Sequence, residues 1–181
     1  MRALRGGRSL LRRLGRVRAL VLDVDGVLTD GSLYYGAEGE ALKRFHARDG
    51  LGLRLVREAG VIVALMTAEE TEIVRRRAEK LGIRHVFTGV ADKGKALREF
   101  LGSCGVAPAE AMYVGDDLLD VPALKGAGFP VVVADAAPEA RRAARLETER
   151  PGGEGAVREV CDALLAARQG SRAAAPSTGT S

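Results

Sequence analysis

Tryptophan is missing from this 181-residue chain, and the other rings amount to three tyrosines and four phenylalanines. So few aromatics offer no row of stacking platforms for single-stranded nucleic acid, and no nucleic-acid-binding motif takes their place. Cysteine occurs only at Cys104 and Cys161, far apart and without partners at metal-ligand spacing. A disulfide framework and a structural zinc site are excluded, two inert thiols are expected, and a reducing cytoplasmic setting fits. No stretch approaches the roughly 18 consecutive apolar residues of a membrane-spanning helix, so no membrane partner is expected. Acidic residues are absent before Ala19, whereas arginine stands at positions 2, 5, 8, 12, 13, 16 and 18. Setting those seven apart leaves 21 of the 28 basic residues against 24 acidic ones, a body of net charge −3, so the formal +4 belongs to this leader. The leader, residues 1–18, has neither an apolar run of signal-peptide length nor a small-residue cleavage pattern. It is expected to be a solvated, partly helical lead-in, and nucleic acid is not an expected partner.

What remains is enough for one domain: 46% of the residues are hydrophobic, and a chain of this length buries a sizeable core. Residues 19–24, 61–66, 111–114 and 129–133 are apolar on both faces, as strands between two helix layers must be. Residues 50–59, 70–81, 93–104 and 118–125 between them carry helical patterns, with Gly60, Gly82 and Gly105 where C-caps belong. Alternating β and α units predict an α/β fold, a single Rossmann-like open parallel sheet with helices on both faces. Residues 32–45 interrupt this rhythm and read as a projecting β-hairpin flap. Residues 169–181 are small and polar and are expected to be a disordered tail, leaving 19–168 as the folded domain. No internal repeat occurs.

Ligands of an open parallel sheet sit beyond the carboxyl ends of its strands. The residues there are polar in every case: Asp23 and Asp25 after the first run, Thr67 after the second, Asp92-Lys93 before the third helix, and Gly115-Asp116-Asp117 with Asp120 after the third run. Asp23 and Asp25 face one side of a straight strand, and a turn at Gly26 lets Asp25 swing away. Two such carboxylates, joined by Asp116 from a neighbouring strand, repel one another unless a cation lies between them. A hard cation with oxygen ligands follows, and Mg²⁺ suits a few carboxyl or carbonyl oxygens completed by water and phosphate. Lys93 adds positive charge and Thr67 a hydroxyl for phosphate oxygens. Carboxylate nucleophile, acid/base, metal and fixed donors are together the parts of phosphoryl transfer through an aspartyl-phosphate.

The run DVDGVLTDG from Asp23, the lone Thr67, Lys93 and the run GDDLLD from Gly115 resemble the four motifs of the haloacid dehalogenase superfamily. The resemblance implies that Asp23 is the nucleophile, that Asp25 is the general acid/base, and that Thr67 and Lys93 bind the transferring phosphoryl group. It rests the metal on Asp23, the backbone carbonyl of Asp25 and Asp116, with Asp117 and Asp120 supporting them. Further runs, FHARDGLG, IVRRRAEKLGI, DKGKAL, VADAAP and GGEGAVREV, extend the likeness over residues 19–168. They resemble the cap-less branch that dephosphorylates 3-deoxy-D-manno-octulosonate 8-phosphate. That branch implies no cap domain and a homotetramer, in which hairpins form a barrel and a neighbour closes each active site. A chain too short for a cap still needs water excluded during the reaction. The same likeness puts substrate contacts on Asp25, His46, Ala47, Arg48, Asp49, Gly50, Arg54, Arg77 and Lys93, and sends Gly152-Gly153-Glu154-Gly155 toward the neighbouring site. Arginine suits a sugar-acid carboxylate because its fork binds bidentately.

The octulosonate branch typically reads Thr-Gly-Arg where this chain has Thr67-Ala68-Glu69. Glu69 resembles the relatives that act on 2-keto-3-deoxy-nonulosonate 9-phosphate, and joins the expected substrate contacts on that account. A non-catalytic oligomerisation domain of the same fold is the rival of another class, and would be expected to have lost Asp23 or Asp116.

Overall fold

The computed structural model describes residues 2–3 and 8–173. In chain order the elements are β1 (Arg2–Ala3), α1 (Arg8–Leu14), β2 (Ala19–Leu22), β3 (Tyr34–Gly36), β4 (Gly39–Leu42), α2 (Ala47–Glu58), β5 (Ile62–Met66), α3 (Glu72–Leu81) and β6 (His85–Phe87). They continue as α4 (Lys93–Ser103), β7 (Ala111–Gly115), α5 (Val121–Gly126), β8 (Phe129–Val132), α6 (Pro138–Ala143), β9 (Leu146–Glu147) and α7 (Ala156–Ala173). Every pairing in the main sheet is parallel, in the order β1-β9-β8-β7-β2-β5-β6. This is the open α/β sheet expected from the alternation of apolar runs and amphipathic segments.

The central strands are apolar on both faces because both faces are covered. All residues of β2, β7 and β8 are buried, and β5 is buried from Val63 onward. Helices α1, α2, α3 and α7 pack together as one layer, and α4, α5 and α6 as the other. β6 and β9 were not legible in the sequence. β6 is three half-buried residues including His85, and β9 is two residues long, so neither carries a run from which a period can be read.

Register places the chemistry. Leu22 stands opposite Leu65 of β5 and Val114 of β7, so the three strands end together. Asp23, Thr67 and Asp116 follow directly at one edge of the sheet. The hairpin β3–β4 projects from this same edge as a separate two-stranded antiparallel ribbon, with Leu33, Tyr35 and Leu42 more than half exposed.

The N-terminal segment differs from the solvated lead-in expected of residues 1–18. Leu10 and Leu14 are buried with Val17, and α1 packs along α7. Arg168 of α7 donates to Val17 O at 2.8 Å and to Ala59 O at 3.0 Å. The arginines mask an apolar stripe: Leu10 and Leu14 are four residues apart and share one helix face, while Arg12, Arg13 and Arg16 are exposed. At the other end α7 runs through Ala173 into the expected tail, whose remainder lies outside the described residues. Among the described residues no helix is long and apolar enough to cross a membrane.

Candidate active site

The loop after β2 is a tight turn made by its own sequence. Leu28 N and Thr29 N both donate to Val24 O, at 2.9 and 3.0 Å, and Thr29 Oγ1 accepts from Gly26 N and Gly31 N at 3.3 and 3.2 Å. Gly26 has φ +87°, and a Cβ there would lie 2.1 Å from Asp116 Oδ2. Only glycine lets the turn reverse while the carboxylate of the neighbouring strand comes this close. From the far side the loop is braced by Gly153, whose N–H donates to Val27 O at 3.1 Å, and by Gly152, whose missing Cβ would fall on Gly26 O. Gly152 and Gly153 thus lie against the loop of their own chain that carries Asp23 and Asp25.

A cleft of about 170 Å³ opens at the strand ends, lined by Asp23, Asp25, Thr67, Glu69, Lys93 and Asp116 together with Ala68, Asp117, Leu119 and Asp120. A larger hollow of about 520 Å³, lined by Leu10, Arg13, Phe129 and Arg145 among others, lies beside the start of β8, away from these carboxylates. The chemistry belongs to the smaller one.

Lys93 is the first residue of α4, buried, with Nζ 2.8 Å from Asp23 Oδ1 and 2.7 Å from Asp120 Oδ1. Asp120 is fully buried and uses both oxygens. Oδ1 accepts from Lys93 and from Tyr113 Oη, the latter at 2.7 Å, while Oδ2 accepts from Asp116 N and Asp117 N at 2.9 and 3.3 Å. It therefore aims Lys93 and ties down the backbone that carries Asp116. Burial pulls the Lys93 ammonium down, but the charges and hydrogen bonds of Asp23 and Asp120 together prevail and hold it above the ordinary lysine range.

Asp25 is held at both oxygens. Lys43 Nζ lies 2.6 Å from Oδ1, and Thr67 Oγ1 donates to Oδ2 at 3.2 Å while accepting from Glu69 N at 3.1 Å. Lys43 also pairs with Glu40 Oε1 at 2.5 Å. Burial pulls the Lys43 ammonium down, but Asp25 and Glu40 prevail and raise it.

The residues fit a hard divalent cation. Oxygens of Asp23, Asp116 and Asp120 lie within 4.8 Å of one another, and Asp116 Oδ1 is buried without a hydrogen-bond donor among the described residues. Burial, then the charge of neighbouring carboxylates, pushes both Asp23 and Asp116 well above the usual carboxylate range. Such a site gains from positive charge. Because Asp120 is saturated by four donors, Asp23 and Asp116 are the side chains with oxygens to spare for a metal, and oxygen-only ligation matches Mg²⁺.

The expected substrate contacts divide. Glu69 lines the cleft and is exposed at its mouth. His46, Ala47, Arg48, Asp49, Gly50, Arg54 and Arg77 do not line it. Ala47 and Arg48 face solvent, and Arg54 is exposed beside Glu58, 3.8 Å away. Asp49 is buried and accepts from Arg158 N at 2.7 Å, His46 Nδ1 is buried without a hydrogen-bond partner among the described residues, and Arg77 lies over the Phe45 ring at 5.3 Å. Of the three consecutive arginines, Arg75 reaches Thr88 and Arg76 pairs with Glu72 on the outer surface. Asp117 is exposed and caps the following turn by accepting from Leu118 N at 2.7 Å. Cys161 is buried, which drives its thiol far up and leaves it inert.

Sequence reasoning passed over Lys43, Tyr113 and Asp135, whose Oδ1 accepts from Gly152 N at 3.0 Å. Tyr113 sits in an apolar run and reads as core. Lys43 sits among the polar residues of a hairpin and reads as solvated, so neither carries a local signal.

Residues 33–128 match the haloacid dehalogenase-like hydrolase family. The 3-deoxy-D-manno-octulosonate 8-phosphate phosphatase KdsC of Yersinia pestis is 42% identical over 160 residues, covering 88% of this chain and 86% of its own. A crystal structure of the corresponding phosphatase from Moraxella catarrhalis, in complex with magnesium ion, phosphate ion and KDO, superposes with a TM-score of 0.87. It is 36% identical, over 93% of this chain and 97% of that one. The cobalt-bound Haemophilus influenzae phosphatase gives a TM-score of 0.85 at 38% identity, over 91% and 96%. With this likeness along almost its whole length, and with its strand-end carboxylates gathered around Lys93, the chain belongs to the haloacid dehalogenase-like hydrolases.

Proposed function

We propose that this enzyme is a Mg²⁺-dependent phosphatase that hydrolyses 3-deoxy-D-manno-octulosonate 8-phosphate to the free sugar acid and phosphate. The observation that carries the reading is the meeting of Asp23, Asp25, Thr67, Lys93 and Asp116 in one cleft, in a chain so similar to phosphatases of that name. Asp23 attacks phosphorus, the bond from phosphorus to the ester oxygen breaks, and Asp25 gives that oxygen a proton. Asp25 then takes a proton from water as the water attacks the aspartyl-phosphate, releasing phosphate, freeing the Asp23 carboxylate and returning Asp25 to the protonated form in which it began. Lys93, at 2.8 Å from Asp23, orients the nucleophile and counters the effect of burial on its charge, and Thr67 offers its hydroxyl to a phosphoryl oxygen. Mg²⁺ held by Asp23, Asp116 and the Asp25 carbonyl supplies the charge that offsets the phosphate dianion.

A homotetramer, in which a neighbour covers the cleft, is part of this proposal. It is supported by the apolar side chains Leu33, Tyr35 and Leu42 left exposed on the hairpin and by the arginines of α2 that stay outside the cleft of their own subunit. The free thiols agree with a cytoplasmic enzyme.

Glu69 favours a second reading. Its carboxylate lines the cleft where the octulosonate enzymes typically carry arginine, so the 9-carbon acid phosphate is the competing substrate. Phosphate release from the two purified sugar-acid phosphates, with Mg²⁺ and after chelation, tests the proposal. A higher kcat/KM on the 8-carbon ester, lost on chelation and in Asp23→Asn, is expected. Indifference to both esters, or full activity of Asp23→Asn, would refute it.

A further inference from the structure

Lys43 follows β4 at the foot of the projecting hairpin, and its side chain is wholly buried between two exposed neighbours, Leu42 and Arg44. A lysine hidden in this way is retained only with partners. Its partners are Glu40 of its own hairpin and Asp25 of the catalytic loop, at 2.5 and 2.6 Å. Lys43 does not line the cleft, so it acts through Asp25.

A carboxyl group turns easily about its last torsion, which is broad and roughly two-fold, so its two oxygens interchange. In Asp25 they are made different: Oδ1 is held by the ammonium of Lys43 and Oδ2 by the hydroxyl of Thr67. When a phosphoryl group draws the Thr67 hydroxyl to itself, Oδ2 is released while Oδ1 stays bound to the hairpin.

We propose that Lys43 is a positioning residue, carried by the hairpin, that pins Asp25 Oδ1 so that Oδ2 is the oxygen facing the leaving group and then the attacking water. Oδ2 delivers its proton to the ester oxygen as that bond to phosphorus breaks, and recovers a proton from water as the new bond forms. Glu40 holds the other side of the ammonium and fixes the hairpin to the loop through one shared cation. This inference rests on the acid/base role of Asp25 set out above.

The test compares leaving groups. The leaving group of the 8-carbon sugar-acid phosphate is an alkoxide that needs the proton, whereas 4-nitrophenyl phosphate releases a stabilised phenolate that does not. Because kcat/KM reports the step up to phosphoryl transfer, it isolates the proton delivery from the later attack of water. In Lys43→Met, kcat/KM for the sugar ester is expected to fall by about 30-fold or more while that for the aryl ester falls by no more than about 3-fold, a part of the 10²–10⁴ available to general acid catalysis. Lys43→Arg is expected to restore most of the difference. Lys43→Met/Glu40→Leu, which replaces both members of the ion pair by apolar groups, decides the matter if the single variant does not fold. An equal fall for both esters, or no fall, in either folded variant would overturn the proposal by showing that Lys43 serves the fold alone. Asp25→Asn sets the largest ratio to expect. Parental discrimination in Asp25→Asn would instead refute the acid role of Asp25, a failure distinct from that of Lys43 with Asp25 intact.

Discussion

Replacing Gly26 by alanine should cost this enzyme its metal more than its fold. The added Cβ would lie 2.1 Å from Asp116 Oδ2 and 2.6 Å from its Cγ, where ordinary contact begins near 3.4 Å. The carboxylate must therefore retreat by roughly 1 Å, a misplacement that can cost about 10²-fold in rate when it befalls a reacting group. The positive φ of +87° adds about 1–2 kcal/mol of backbone strain for a residue with a Cβ. For a domain of this size that lowers Tm by about 2–8 °C. Activity titrated with Mg²⁺, together with thermal unfolding with and without the ion, measures both effects. The expected variant is folded, melts a few degrees early, and needs far more Mg²⁺ for half-maximal activity. Parental Mg²⁺ dependence in a folded Gly26→Ala protein would refute the claim that Asp116 reaches a metal through the space this glycine leaves.

Three other outcomes are expected. Tyr113→Phe removes the hydroxyl that donates to Asp120 Oδ1 at 2.7 Å, a bond to a charged group worth about 1.5–3 kcal/mol; urea denaturation should show that loss, with a fall in kcat as Lys93 loses part of its support. Leu14→Ala, in a helix once read as solvated, should cost about 2–5 kcal/mol by opening a cavity against α7, whereas an unchanged Tm would return residues 8–18 to the status of a loose leader. The metal-free protein should lose stability as pH rises from about 5 to about 8, because Asp23 and Asp116 titrate above their unfolded values and the unfolded chain sheds those protons first. Mg²⁺ should flatten that decline in a thermal-shift series, and a slope unaffected by the ion would count against both carboxylates as ligands.

The sheet was legible in the sequence where burial is two-sided. β2, β5, β7 and β8 are continuous apolar runs because helices cover both faces, and their register follows from packing. The strand-end positions were legible for the same reason, since Asp23, Thr67 and Asp116 are the first polar residues after those runs. What escaped was whatever depends on distant partners. Leu10 and Leu14 needed α7 before their stripe meant burial, and Lys43 needed Asp25, 18 positions away, before its charge meant anything but solubility. Gly152 was recognisable as unusual, but its use against Gly26 O joins two segments that no local pattern connects.

The charge of the cleft bears on the proposed tetramer. Its lining carries six acidic side chains, Asp23, Asp25, Asp116, Asp117, Asp120 and Glu69, and Lys93 as the cation among them. Lys43 behind Asp25 offsets one more. A phosphate monoester dianion entering such a site meets repulsion that grows as water is excluded and the effective dielectric falls. A divalent cation held by Asp23 and Asp116 would reverse the sign at the phosphoryl group, but in the proposed substrate the carboxylate is at the other end of the sugar from the ester and would gain little from it. That end of the proposed substrate calls for an arginine. Arg48 and Arg54 of the same subunit stay outside the cleft and are exposed, which is why the proposed tetramer gives the sugar-acid end to a second copy. In that proposal the exposed hairpin rising from the same edge of the sheet is the surface that brings the copy in.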